Sequence, residues 1–122
     1  MALQHALSGD LILVQPLGDQ LPTQTTTALF KSQQLELIRL VLMAGKAFPP
    51  HQVPGEITIH CIEGKVDVTA RGESHVLGPG QMLFLEGGVP HGVLAIEDSS
   101  ALVTIVLVKP QSPDPAPPYA FE

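Results

Sequence analysis

Two histidines are the residues of this sequence whose type and surroundings best suit chemistry. His51 and His91 each lie in a segment rich in Gly and Pro that adjoins an apolar run. A neutral imidazole is a common ligand of divalent metal ions, and histidines on different strands can converge on one ion. A carboxylate beside them would complete a metal centre with positions open for substrate or oxygen. His51 and His91 are therefore the first candidates for a site.

Three further side chains are weaker candidates for metal ligands. Glu56 and His60 follow His51 along the chain, and Glu86 precedes His91 by five positions. Glu86 could act as a ligand or as a general base, and the alternative is a solvated loop carboxylate, the usual state of glutamate. The alternative for His60 is a hydrogen-bonded histidine of the core or of an interface.

The other reactive residue types do not indicate a site. Cys61 has apolar neighbours and no basic residue beside it that would lower its pKa, so we expect a small buried apolar side chain. His5 and His75 are expected at the surface. The Gly-rich stretches lack the spacing and the Lys of a phosphate-binding loop.

The composition favours an all-β protein. There are 11 Gly and 12 Pro among 122 residues, and both residue types destabilise helices. A hydrophobic content of 44% argues against disorder in the middle of the chain. The length suits one domain with a modest core.

Charge, cysteine content and hydropathy disfavour several kinds of partner and cellular environment. The net charge is −6 without a Lys/Arg cluster, which disfavours binding to nucleic acid. A single Cys does not point to an oxidising compartment, and the longest apolar run is too short to span a bilayer. We see no signal peptide, so a cytoplasmic protein without membrane contact is expected.

The apolar segments are typical of strands. They are short, rich in β-branched residues and separated by turn residues, and their recurrence about every eight to twelve residues indicates a sandwich or barrel. Arg71 and Gly72 are expected in a hairpin turn. The predicted strands are 11–14, 25–31, 35–43, 57–62, 66–70, 74–77, 82–85, 92–96 and 101–108.

Two segments have glycines and a histidine at regular spacings: Gly45, His51 and Gly64 in the first, and Gly80, Gly88 and His91 in the second. These segments resemble the two signature motifs of the cupin superfamily, G-x5-H-x-H-x(3,4)-E-x6-G and G-x5-P-x-G-x2-H-x3-N. The resemblance covers about residues 34–108. It implies an all-β fold, a double-stranded β-helix or jelly-roll barrel of two facing antiparallel sheets.

The sequence departs from the family motifs at the metal ligands. Val53 stands where the family has its second His, and Ile57 stands where it has Glu. Of the four ligands that the resemblance implies, only His51 and His91 remain. Two protein ligands make a weak site, because structural zinc sites use about four and catalytic sites about three.

A β-bulge near Glu56 would add a further ligand to the metal site. Strict alternation turns Glu56 to the face opposite Ile57, but a one-residue bulge after Gly55 would turn Glu56 inward. The same bulge would bring His60 onto the inner face.

Two functions follow. The first is binding of a small organic ligand in the barrel without catalysis, because apolar residues replace two ligands. The predicted pocket is lined by His51, Val53, Ile57, Ile59, Phe84, His91 and Val93. The second is a metal-dependent enzyme of the dioxygenase or isomerase kind, in which His51, His91 and Glu56 or Glu86 would hold Zn, Fe, Mn, Ni or Cu.

The predicted organisation has three parts. Residues 1–33 are N-terminal strands that pack on the barrel or on a dimer partner, 34–109 form the barrel, and 110–122 are a Pro-rich tail. The strand at 35–43 has apolar residues on both faces, so its outer face needs a cover. A homodimer would provide this cover, and so would the N-terminal strands of the same chain.

Overall fold

About half of the described residues lie in antiparallel strands. The structure, a computed structural model, describes residues 5–108, and the predicted tail at 110–122 lies outside this range. No helix in the described range is long and apolar enough to cross a membrane. The elements are a short 3-10 helix, Gly18–Thr23, and the strands β1 (Thr27–Lys31), β2 (Leu35–Leu42), β3 (Ala47–His51), β4 (Ile57–Glu63), β5 (Val66–Ala70), β6 (Glu73–Leu77), β7 (Met82–Leu85), β8 (His91–Ala95) and β9 (Ser99–Val106).

The strands form two sheets with one core between them. The strand orders are β1-β2-β9-β4-β7 and β3-β8-β5-β6, and neighbouring strands are antiparallel. Alternation of side chains between core and surface is clearest in β4, where Ile57, Ile59 and Cys61 are buried. The all-β jelly roll predicted from the sequence is confirmed, and Cys61 is the buried apolar side chain that was expected.

Strand β3 is absent from the prediction because it contains Pro49 and Pro50. Proline cannot donate a backbone hydrogen bond, so it is normally confined to edge strands. β3 is such a strand, since it lies at the edge of the four-stranded sheet and pairs with β8 alone.

The predicted strand at 11–14 is wrong, since this run has no regular structure. Leu11 and Leu13 are largely exposed. The free edge of β1, which this run could have extended, is occupied by Ala6, whose N–H donates to the Leu29 carbonyl at 2.9 Å. An apolar run without a neighbouring strand cannot form a ladder, whatever its composition.

The N-terminal segment covers part of the outer face of β2. Arg39 of β2 is 6% exposed, and its guanidinium donates to the Leu13 carbonyl at 3.0 Å. The Glu63 carboxylate accepts the N–H groups of Leu17 and Gly18 at 2.9 and 3.0 Å. Within the described residues, the chain itself therefore covers the outer face of β2 around Arg39.

The connection from β4 to β5 requires a glycine. Gly64 has a φ of +81°, in the left-handed region that favours glycine. A Cβ atom at this position would overlap the Asp98 carbonyl and the Ser99 side chain. The β4 to β5 turn and the start of β9 can therefore approach each other only because residue 64 lacks a side chain.

Candidate functional site

An apolar cavity of about 170 Å³ opens between the two sheets. Its wall follows from strand register, because Ile38, Val103 and Ile59 lie side by side on β2, β9 and β4. Inward residues two positions along these strands extend the same wall. The lining residues are Thr26, Ile38, Leu40, Phe48, His51, Val53, Ile57, Ile59, His91, Val93, Val103 and Ile105.

His51 and His91 provide the polar groups of this cavity. They are register partners on β3 and β8, with ring centroids 4.6 Å apart and ring planes inclined at 50°. The other polar lining residue, Thr26, is already satisfied. Its hydroxyl accepts the Val41 N–H at 2.9 Å and lies 3.2 Å from the Val41 carbonyl, to which it donates.

His91 is the buried member of the pair, with 5% of its surface exposed. Its Nδ1 lies 3.0 Å from the Val89 carbonyl oxygen. Burial lowers the pKa of His91 below its ordinary 6.5; the hydrogen bond to Val89 opposes this shift, and the charge of His51 adds to it. His91 is therefore a neutral ring at neutral pH.

His51 is the exposed member of the pair. Its Nδ1 lies 3.4 Å from the Pro49 carbonyl, a longer contact than the one that holds His91. The ring therefore lies at the opening of the cavity, where it contacts both the cavity and solvent.

Of the seven predicted pocket residues, Phe84 does not line the cavity, and the other six do. Phe84 pairs with Thr58 on the outer face of the sheet and is 56% exposed. Leu83 and Leu85 are the β7 residues that face inward. The prediction for Phe84 is corrected accordingly, because an all-apolar strand of four residues gives no sign of which face is buried.

Six lining residues were not predicted: Thr26, Ile38, Leu40, Phe48, Val103 and Ile105. Alternation along β2 and β9 groups the four aliphatic residues by face, and a register between the strands would have placed them on the cavity. Phe48 lies on β3, a strand that was not predicted because it contains two prolines. The sequence carries no signal for Thr26.

The weaker ligand candidates lie away from the histidine pair. Glu56 is exposed, because β4 pairs without interruption from Ile57 to His60 and no bulge turns Glu56 inward. His60 alternates with the buried residues of β4 and therefore belongs to the outer face. Glu86 is exposed and forms an ion pair with Arg71, with 3.0 Å between the guanidinium Nη2 and carboxylate Oε1.

This donor set does not fit a metal centre. No group of three or more His, Cys, Asp or Glu side chains comes together within residues 5–108 in a way that could hold an ion. The two imidazoles face an apolar wall, with Val53 and Ile57 in place of further donors. Zinc sites in proteins use about three or four protein ligands, so His51 and His91 alone are too few.

Comparison with known proteins supports the fold. A conserved protein of unknown function from Streptococcus pyogenes is 22% identical, with a TM-score of 0.69, and the match covers 92% of this chain and 100% of that one. An RmlC-like cupin from Desulfovibrio desulfuricans is 26% identical over 84% of this chain and 97% of that one, with a TM-score of 0.63.

An enzyme also shares the fold. The DMSP lyase DddQ from Ruegeria pomeroyi is 25% identical, with a TM-score of 0.61, over 76% of this chain and 52% of that one. A comparison with curated proteins gives no significant match. The family model for the cupin domain matches residues 38–108, which is more than half of the chain. The motifs, the two-sheet barrel and this match together show that the chain belongs to the cupin domain family.

Proposed function

We propose that this protein binds a small, mainly apolar organic molecule in the cavity between its two sheets. The observation that carries the proposal is the composition of the cavity wall. Nine of the twelve lining residues are aliphatic or aromatic, and the polar groups, His51 and His91, stand together. An apolar cleft with a few convergent polar groups is the usual form of a small-molecule site.

The size of the cavity limits the ligand. A dry protein cavity of about 150 Å³ lined by leucine, isoleucine and phenylalanine binds benzene. The cavity here is of similar volume, about 170 Å³, and of similar lining. It therefore suits a single ring or a short branched chain, and it is too small to enclose a nucleotide.

The observations support the binding of a small molecule better than they support metal-dependent catalysis. One fold hosts many chemistries, so the presence of a lyase among the structural relatives assigns no reaction to this chain. A metal-dependent reaction would need donors beyond the two imidazoles, and Glu56 and Glu86 lie outside the cavity.

The test is binding of toluene, measured by ligand-detected NMR and by the rise in melting temperature, with a cavity-filling variant. Ile105 lines the cavity and the next residue, Val106, does not. We expect Ile105→Trp to abolish binding, because the indole fills the cavity, and Val106→Trp to retain it. Failure of toluene and other single-ring compounds to bind the wild-type chain would refute the proposal.

We also propose that the protein assembles as a homodimer. Met82 and Phe84 lie two positions apart on β7, at the edge of the five-stranded sheet, and are 57% and 56% exposed. Residues two apart on a strand share a face, and adjacent exposed apolar side chains are typical of an interaction surface. Light scattering should give twice the mass of one chain, and Phe84→Glu should reduce it to one. A monomeric wild-type protein would contradict the proposal.

A further inference from the structure

The hydrogen bonding of His91 determines which ligand groups this cavity can accept. A carbonyl oxygen only accepts hydrogen bonds, so the Nδ1 atom that lies 3.0 Å from the Val89 carbonyl must carry the proton. A neutral imidazole carries one N–H, so the Nε2 atom of His91 has a free lone pair. His91 is therefore a hydrogen-bond acceptor toward anything that meets Nε2.

The Nε2 atom of His91 faces the cavity. Nε2 has no hydrogen-bond partner among residues 5–108, where Nδ1 makes the one hydrogen bond of this side chain. Within the same residues, no buried side-chain nitrogen or oxygen lacks a partner. Nε2 is therefore accessible, and the accessible space beside this otherwise buried ring is the cavity that it lines.

Among residues 5–108, the buried part of the wall offers neither a positive charge nor a free donor. No Lys or Arg of this range lines the cavity. The Thr26 hydroxyl is engaged with both backbone groups of Val41. His51 also has its Nδ1 toward a carbonyl, that of Pro49, so the neutral form of this ring presents Nε2 as a second acceptor. A carboxylate placed here would lose its hydration without gaining a counter-charge.

On this basis we propose that the ligand is a neutral molecule with one hydroxyl or N–H group, a phenol or alcohol of single-ring size, whose hydrogen is donated to His91 Nε2. This inference rests on the proposed binding function and adds to it the chemical class of the ligand. The ring or branched chain packs on Ile38, Ile59 and Val103, and the donor group selects its orientation. An apolar compound of equal size binds less well because it leaves Nε2 without a partner.

The experiment measures the binding of three single-ring probes, each with a methyl group on the ring, to the full chain: toluene, p-cresol and p-toluate. We expect p-cresol to bind about fivefold more tightly than toluene, the gain from one net hydrogen bond, and p-toluate to bind more weakly than either. Equal binding of p-cresol and toluene, or tighter binding of p-toluate, would overturn this inference while leaving the proposed binding function in place. Binding of none of the three would refute both.

Two variants show whether the preference depends on His91. His91→Phe removes the acceptor and keeps an apolar ring, so toluene should still bind and the preference for p-cresol should disappear. The matched control is His75→Gln, because Nδ1 of His75 also lies 3.0 Å from a carbonyl, that of Val68, but its ring is outside the cavity. The His75→Gln variant should keep the fivefold preference for p-cresol. Loss of this preference in His75→Gln would show that it does not depend on His91 specifically.

A measurement on the unsubstituted protein avoids any dependence on variants that fold poorly. The ¹⁵N chemical shifts of the His91 ring report which nitrogen is protonated. We expect a protonated Nδ1 and an unprotonated Nε2 at neutral pH, and a shift of the Nε2 resonance when p-cresol is added. A protonated Nε2, or an Nε2 resonance that p-cresol leaves unchanged, would overturn the inference.

Discussion

His51 and His91 are register partners on β3 and β8, and their ring centroids lie 4.6 Å apart. The backbone pairing holds these two rings side by side, one buried and one exposed. Burial and, in addition, the charge of His51 lower the pKa of His91, so His91 is the neutral member of the pair. The arrangement places a neutral ring with a free nitrogen lone pair at the polar end of the cavity.

The first prediction concerns metal content. Because residues 5–108 bring no third donor to His51 and His91, the purified protein should contain far less than one metal ion per chain. A tenfold excess of Zn²⁺ should raise its melting temperature by less than about 2 °C. Elemental analysis and thermal unfolding measure the two quantities. Stoichiometric metal that is lost from both His51→Ala and His91→Ala would contradict the interpretation.

The second prediction concerns the pH dependence of stability. His91 has a lowered pKa in the folded state because it is buried, so the unfolded chain binds a proton more readily. Its contribution to stability is complete above the ordinary pKa of 6.5 and decreases as the pH falls from there through the lowered value. The free energy of unfolding, measured from pH 8 to pH 5, should therefore fall less steeply for His91→Gln than for the wild type.

Ile38→Val is the control for this experiment, since it changes a cavity residue that does not titrate, and it should lower the curve without changing its slope. Parallel curves for the wild type and His91→Gln across the whole range would show that His91 is not buried as a neutral ring.

The third prediction concerns the N-terminal segment. Burial alone would raise the pKa of Glu63, but the Ser100 hydroxyl and the amides of Leu17 and Gly18, together with Arg39, outweigh it and lower the pKa below 4.5. The stabilisation by this carboxylate is therefore present above pH 4.5 and is lost as the pH falls through the lowered value.

Glu63→Gln should accordingly speed hydrogen exchange of the two amides that bind the carboxylate by about tenfold at neutral pH, because charge-assisted hydrogen bonds are lost. The control is Glu97→Gln, which removes an exposed ion pair with Lys65 at 3.9 Å and should change exchange little. Unchanged exchange in Glu63→Gln would mean that the carboxylate does not hold the segment.

The fourth prediction compares two glycines with nearly equal backbone angles. Gly64 and Gly72 have φ values of +81° and +76°, so alanine is strained at both positions, by about 1–2 kcal/mol. Only at Gly64 would the new Cβ overlap other atoms, whereas Gly72 faces open space. Urea unfolding should show a loss of more than about 3 kcal/mol for Gly64→Ala and only the backbone term for Gly72→Ala. Equal losses in the free energy of unfolding for the two variants would show that the start of β9 moves away from residue 64 without cost.

Most of the strands could be predicted because their signal is local. The two-residue alternation of β4 and the hairpin at Arg71 and Gly72 are written in a few consecutive residues. β3 could not be predicted, since its prolines are tolerated only at an edge, and an edge is a property of the sheet. The outward position of Phe84 depends in the same way on how β7 pairs with β4.

Residue types and their spacing were enough to predict an all-β barrel of the cupin family and to select His51 and His91 as the first candidates for a site. The burial of His91, the hydrogen bond of its Nδ1 to the Val89 carbonyl and the exposed positions of Glu56 and Glu86 became known from the folded chain. The reason is physical. Residue type and spacing act along the chain, whereas burial, register and the partner of each polar atom arise when distant strands pair.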